Sequence, residues 1–346
     1  MVTRGIVLMN LGSPASTAVK DVRQYLNEFL MDGRVIDSPY LLRLLLVKGI
    51  IVPFRAPKSA EAYSTIWTKD GSPLIVLTKA LQQALQQRIH EPVEMAMRYG
   101  SPTPADAFNN LLSQHPGIEE VIAVPLYPHY AMASYETAVE YAKEIHTKNN
   151  YSFNLSFIKP FYNEPGYIYA MAENMRPYLQ EEYDHILFSY HGIPARHVKK
   201  TDPTGCHCMK VADCCNVPSA AHAVCYRHQC FTTTRLITEA LRIPAEKYSI
   251  AFQSRLGKGW LQPFTDKRLE GMPKEGIKKL LILCPAFISD CLETLEEIEE
   301  RGKETFMEAG GSSYKMIPCL NTHAAWVDVL EKWVVEIGEG ERRMLS

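Results

Sequence analysis

The chain has 346 residues, 46% hydrophobic and 22% charged, with a formal net charge of −2 at pH 7. That balance excludes a bulk electrostatic hold on nucleic acid or on an anionic membrane, and the length favours two domains over one core. The opening apolar stretch is too short and too poorly flanked for a secretory leader, and no run reaches the roughly 18–20 apolar residues of a membrane span, so a cytoplasmic chain is expected.

In chain order, short apolar runs bounded by turn residues predict strands at GIVLMNL (5–11), VEMAMRY (93–99), EEVIAVPLY (119–127), HILFSYH (185–191), KYSIAFQ (247–253) and KKLLILCPAF (278–287). Helical spacing recurs between them at 78–89, 134–145 and 293–309. The apolar segment from Tyr40 to Phe54 is broken by Arg43 and Lys48. Strands alternating with helices indicate an α/β protein with parallel sheets. The halves echo each other: LMNLGSP near the start resembles LFSYHGIP (187–194), and AVPLYPHYAMASYETAVE (123–140) resembles ILCPAFISDCLETLEEIEE (282–300). Two similar Rossmann-like units, each a parallel sheet flanked by helices, are therefore expected, with a ligand cleft at the carboxyl ends of the strands. No Gly-x-Gly-x-x-Gly or phosphate loop follows any strand, which argues against a nicotinamide oxidoreductase.

Three segments carry chemistry. His191 closes an apolar strand and is followed by Gly192 and Pro194. There it can serve as base or metal ligand, or simply as a hydrogen-bonded strand-end histidine. Asp290, Glu293, Glu297 and Glu300 recur at steps of three and four, the spacing of one helix face, whereas Glu296 and Glu299 read as its solvated side. Clustered carboxylates raise each other's pKa and attract cations. The third segment, FQSRLGKGWLQPFTD (252–266), offers Arg255 and an aromatic in a glycine-bearing loop.

Together with NLGSP (10–14), DGSPL (70–74), MRY (97–99) and PLYPHY (125–130), the motifs SYHGIP (189–194), FQSR and CLETLEEI (291–298) resemble the ferrochelatase family. They run in order from about residue 5 to about residue 322. The resemblance implies insertion of ferrous iron into protoporphyrin IX with release of two protons, by a lyase of haem biosynthesis. It sets a first domain at 1–160, completed by a C-terminal helix at 320–337, and a second at 161–319, with the active site between them. It assigns His191 and Glu293 to opposite sides of the macrocycle as catalytic residues and ligands of the substrate iron. Asp290 and Glu297 extend an acidic path for protons and metal. Met31, Arg55, Ser72, Arg98, Tyr99, Tyr130 and Trp260 would contact the porphyrin. The apolar segment at about 40–57 would form a lip over the pocket, apt for peripheral contact with the inner face of a membrane. Coproporphyrin ferrochelatases, other tetrapyrrole chelatases and non-catalytic porphyrin-binding proteins are the competing readings.

Six of the nine cysteines crowd between Cys206 and Cys230, an insertion (204–230) that departs from the simplest family pattern. Thiolates select zinc or iron–sulfur clusters, and their spacing here matches no common zinc finger. Some ferrochelatases carry a [2Fe-2S] cluster, so that is the preferred reading over zinc or free thiols. Cys208, Cys215, Cys225 and Cys230 are the chosen ligands, with His207, His222 and His228 as substitutes.

Overall fold

The computed structural model describes residues 2–255, 257, 259–340 and 343–346; Leu256 and Lys258 of the FQSRLGKGW motif lie outside the described residues. Valine, isoleucine and leucine runs fill the inner strands, as sheets covered on both faces require. The strands are β1 (Arg4–Gly12), β2 (Val93–Tyr99), β3 (Glu120–Pro125), β4 (Asn154–Phe157), β5 (His185–His191), β6 (Tyr248–Gln253), β7 (Lys279–Leu283) and β8 (Ser313–Met316). They form two parallel four-stranded sheets, ordered β2-β1-β3-β4 and β6-β5-β7-β8. The likeness of the two halves is thus one of topology: each places its first strand second and its third strand beside it.

β4 and β8 were not foreseen. Each has four residues and edges its sheet, and NLSF and SYKM carry too few apolar residues to show a pattern.

By contact the chain divides into two compact units. One comprises Met1–Leu126, Met132–Lys159 and Leu330–Ser346, the other Tyr127–Ala131 and Pro160–Val329. In the first, the chain end adds an antiparallel pairing beside β4, with reciprocal backbone hydrogen bonds between Phe157 and Ser346.

A π-helical turn follows the third strand of each unit: Met132–Glu136 ahead of helix Thr137–Lys148, and Leu295–Glu300 between Leu292–Thr294 and Arg301–Glu308. Each π turn holds extra backbone, so side chains beyond it rotate away from where a 3.6-residue period puts them. That displacement decides which glutamates face inward in the second unit.

The segment Tyr40–Phe54 is helical, with a π turn at Leu45–Ile51. Val47 and Val52 are buried, whereas Leu41, Leu45 and Phe54 are 71%, 70% and 75% exposed. It is therefore not a buried core helix. Among the described residues, no helix is long and apolar enough to cross a membrane.

Candidate active site

The residues singled out after β5, β6 and β7 meet at the carboxyl ends of three adjacent strands of the second unit. His191 ends β5 and lies in register with Gln253, the last residue of β6. Its Nδ1 lies 2.7 Å from the Gly192 carbonyl, which can only accept, so Nδ1 carries the proton. The neutral ring then has its lone pair on Nε2, the state a base or metal ligand needs. The His191 carbonyl accepts the Tyr226 hydroxyl at 2.9 Å, and Phe287, from the loop after β7, meets the imidazole edge to face at 6.1 Å.

Gly192 is needed for the approach of its neighbours. A Cβ there would sit 2.6 Å from the Gln253 carbonyl oxygen and 3.3 Å from the Trp260 ring. That closeness lets residues 259–261 hydrogen-bond back onto 193–195, which sets the half-buried Trp260 beside His191's turn. Arg255 is engaged elsewhere: it pairs with Asp266 at 2.7 Å and stacks over Phe264.

Beyond β7 the acidic residues take separate roles. Asp290 precedes the helix and is buried, and it accepts from Thr294 Oγ1 (2.9 Å), Asn321 Nδ2 (2.7 Å) and the Cys319 N–H (3.3 Å). Fully engaged, it braces the turn; this differs from the single acidic face that the spacing suggested. Asp290→Ala should cost about 2–4 kcal/mol by stranding those donors, as chemical denaturation would read, while the folded protein keeps its porphyrin affinity.

Glu293 is half-buried, and its carbonyl accepts Gln253 Nε2 at 2.8 Å. Glu297 lies four residues further on, inside the π turn, and accepts the Ser254 hydroxyl. Burial and the neighbouring Glu293 push its pKa up to about 7, against the lowering pull of Ser254 and Arg301. Glu296, expected on the solvated side, is 8% exposed and pairs with Arg301 at 2.6 Å, because the π turn swings it inward. Glu299 and Glu300 are exposed.

In the first unit, Arg98 and Tyr99 end β2. The Arg98 guanidinium lies between the Tyr99 and Tyr141 rings and bonds Asp32 at 2.5 Å and Thr137 at 2.7 Å. Tyr99 is buried and donates to Asp32 at 3.0 Å. Burial alone would raise the Asp32 pKa, but donors from Thr137, the Arg34 N–H, Arg98 and Tyr99 hold it below the usual carboxylate range. Arg98 also lines an open pocket of about 570 Å³ with Arg34, Tyr141 and Lys143. Met31 caps helix Val19–Leu30, Ser72 is buried at the start of helix Pro73–Gln86, and Arg55 is half-buried on Val52–Ile66. In the second unit, the Tyr130 N–H donates to Gln229 at 2.7 Å.

In the segment 204–230 every cysteine but Cys206 is buried. Cys225 and Cys214 lie near enough to both Cys208 and Cys215 to raise their pKa values. Cys230 is buried in the core beside Tyr226, Tyr167 and Tyr190, and Cys225 and Cys215 lie near enough to raise its pKa too. It is a buried residue of helix Tyr226–Leu241, whereas Cys214 lies in the preceding loop with Cys208 and Cys215. Burial pushes the Cys215 thiol up to about 12, against the pull of Arg227, and raises Cys208 and Cys225 as well. The three histidines do not substitute as ligands through the nitrogens seen in contact: His207 and His222 donate to the Cys214 carbonyl at 2.8 and 2.9 Å, and His228 to that of Cys215 at 2.7 Å. Thiols are apt donors for a thiophilic metal. Among the described residues, no three His, Cys, Asp or Glu side chains converge as a metal site.

Gln253 and Ser254 were missed as site residues. The FQSR motif contained them, but nothing in the sequence showed that an amide and a hydroxyl after β6 reach the turn after β7.

Two solved structures share this architecture across nearly the whole chain. SirB from Bacillus subtilis with Fe3+ superposes with a TM-score of 0.56 at 13% identity, covering 99% of this chain and 98% of that one. The sirohydrochlorin chelatase SirB from Bacillus subtilis subspecies spizizenii in complex with cobalt gives 0.55 at 12%, covering 99% of each. At such identities the likeness is one of fold, and the fold is that of a two-unit chelatase. Sequence carries it further. The ferrochelatase family model matches residues 3–337. Ferrochelatases of Pseudomonas entomophila and Opitutus terrae are 50% and 49% identical over 95% of this chain, covering 98% and 96% of theirs. The chain belongs to the ferrochelatase family.

Proposed function

We propose that this chain is a lyase that inserts ferrous iron into protoporphyrin IX and releases the two pyrrole protons, the closing step of haem formation. The observation that carries this is the hydrogen-bonded link at one sheet edge from His191, through its register partner Gln253, to the acidic turn of Glu293 and Glu297. Metallation needs a neutral base for the pyrrole N–H and an anionic route for a dication and departing protons. The His191 tautomer provides the first. Glu293 with Glu297, whose pKa lies near neutrality, provides the second. Met31, Arg55, Ser72, Arg98, Tyr99, Tyr130 and Trp260 are the proposed porphyrin contacts. Of these, Arg98 would keep Asp32 as its partner while facing the open pocket. Initial rates with ferrous iron should favour protoporphyrin over coproporphyrin. The reverse preference would assign the chain to the coproporphyrin branch, and binding without turnover would make it a carrier.

The exposed Leu41, Leu45 and Phe54 support peripheral contact of a cytoplasmic protein with a membrane surface. For the cysteine group, the finer reading is a [2Fe-2S] cluster on Cys208, Cys214, Cys215 and Cys225, supported by the nearness of four thiols. With the pKa values of Cys208, Cys215 and Cys225 raised, metal must displace their protons, so binding would fall with acid. Anaerobically purified protein should contain iron and acid-labile sulfide in equal amounts, both lost in Cys214→Ser. Sulfide-free protein would remove the cluster.

A further inference from the structure

Resting on the function just proposed, we infer that Gln253 and Ser254 are a positioning pair for the acidic turn, with Gln253 fixing the backbone at Glu293 and Ser254 fixing the carboxylate of Glu297. Gln253 is buried, and its amide joins the ends of three adjacent strands, β6, β5 and β7. Its Oε1 accepts from Ser189 Oγ of β5 at 2.6 Å and from Cys284 Sγ just after β7 at 3.5 Å, while Nε2 donates to the Glu293 carbonyl at 2.8 Å. Ser189 stands two residues before His191 and is itself held by Thr265 at 2.8 Å. The strand that ends in the proposed base is therefore tied through one amide to the backbone of the proposed anionic residue.

Ser254 continues the device. Its φ of +60° is left-handed, a conformation few non-glycine residues adopt. In that conformation its hydroxyl donates to Glu297. Glu293 lies in the short turn Leu292–Thr294 and Glu297 inside the π turn Leu295–Glu300, so an ordinary helical repeat does not fix their relative placement. Two consecutive residues of another strand do so instead, one through the main chain and one through the side chain. Both act through the glutamates, so they are positioning residues and not catalytic ones.

The test is anaerobic steady-state iron insertion by the full-length protein, with porphyrin affinity read by fluorescence. Wild type, Ser254→Ala, Glu297→Gln and their double variant form a cycle, with Gln253→Glu alongside. Ser254→Ala should lower kcat about tenfold, the scale of a small misplacement, while porphyrin Kd stays within about twofold. In the Glu297→Gln background the same change should cost nothing more, because the carboxylate it positions is gone. Gln253→Glu keeps the acceptor for Ser189 and Cys284 but loses the donor to Glu293, and should lower kcat with the same unchanged Kd. Should that variant fail to fold, the Ser254 cycle decides alone. An unchanged kcat in Ser254→Ala, or equal losses in both backgrounds, overturns the pairing while leaving the ferrochelatase function intact. Wild-type protein that binds porphyrin without metallating it overturns both.

Discussion

His191→Ala should lose iron insertion by a factor on the order of 10² to 10⁴ while still binding porphyrin, the range spanned by loss of a positioned general base. The ring is held from below by its Nδ1 bond to Gly192 and from the side by Phe287. The proton on Nδ1 therefore does not depend on a bound substrate. Removing it takes away the acceptor for the pyrrole proton but leaves the sheet undisturbed, since the side chain lies at the end of β5. His191→Asn should fare little better, because an amide nitrogen has no basic lone pair. Absorbance spectra of haem formation beside fluorescence titration with porphyrin measure the two quantities separately. Equal loss of binding and turnover would make His191 a substrate contact and not a base.

Glu297→Gln should slow metallation on the order of 10²-fold and at the same time stabilise the protein above neutral pH. The carboxyl is raised from an ordinary 4.5 to about 7 by burial and by Glu293, so the folded chain keeps a proton that the unfolded chain has lost. Stability from this group is fully present below the unfolded pKa and is lost as pH rises through about 7. A shift of this size corresponds to about 3 kcal/mol, at roughly 1.4 kcal/mol per unit. Glutamine keeps the shape and the acceptor for Ser254 but does not titrate. The stability advantage of Glu297→Gln should therefore grow between pH 4.5 and pH 8 in urea denaturation. A constant difference across that range would mean the carboxyl titrates normally in the folded state. Gained stability with lost activity is the pattern expected where a strained group is kept for function.

Strands β1, β2, β3, β5, β6 and β7 were legible because each is longer than the four residues of β4 and β8 and carries an apolar run. β4 and β8 were not, since a short edge strand needs only one or two buried side chains, here Phe157, Tyr314 and Met316. His191 could be found because a histidine between an apolar run and Gly192 stands out. The acidic residues were found as a group but sorted wrongly. A period of 3.6 does not foresee the π turn at Leu295–Glu300, which buries Glu296, and it places Asp290 on a helix that it precedes. Spacing also could not choose among the clustered cysteines. Spacing counts residues along a loop, whereas the side Cys230 faces is fixed by helix Tyr226–Leu241 packing its inner surface into the core. Gln253 and Ser254 lay beyond reach because their meaning is in partners on other strands.

The most direct test of the account is the visible spectrum of the anaerobic protein with protoporphyrin and ferrous iron, wild type beside His191→Ala and Glu293→Gln. The account predicts conversion of the porphyrin bands to those of haem by wild type, with both variants binding porphyrin and leaving it unmetallated. Conversion at wild-type rate by His191→Ala would contradict it, because the base at the end of β5 would then have no part in the chemistry.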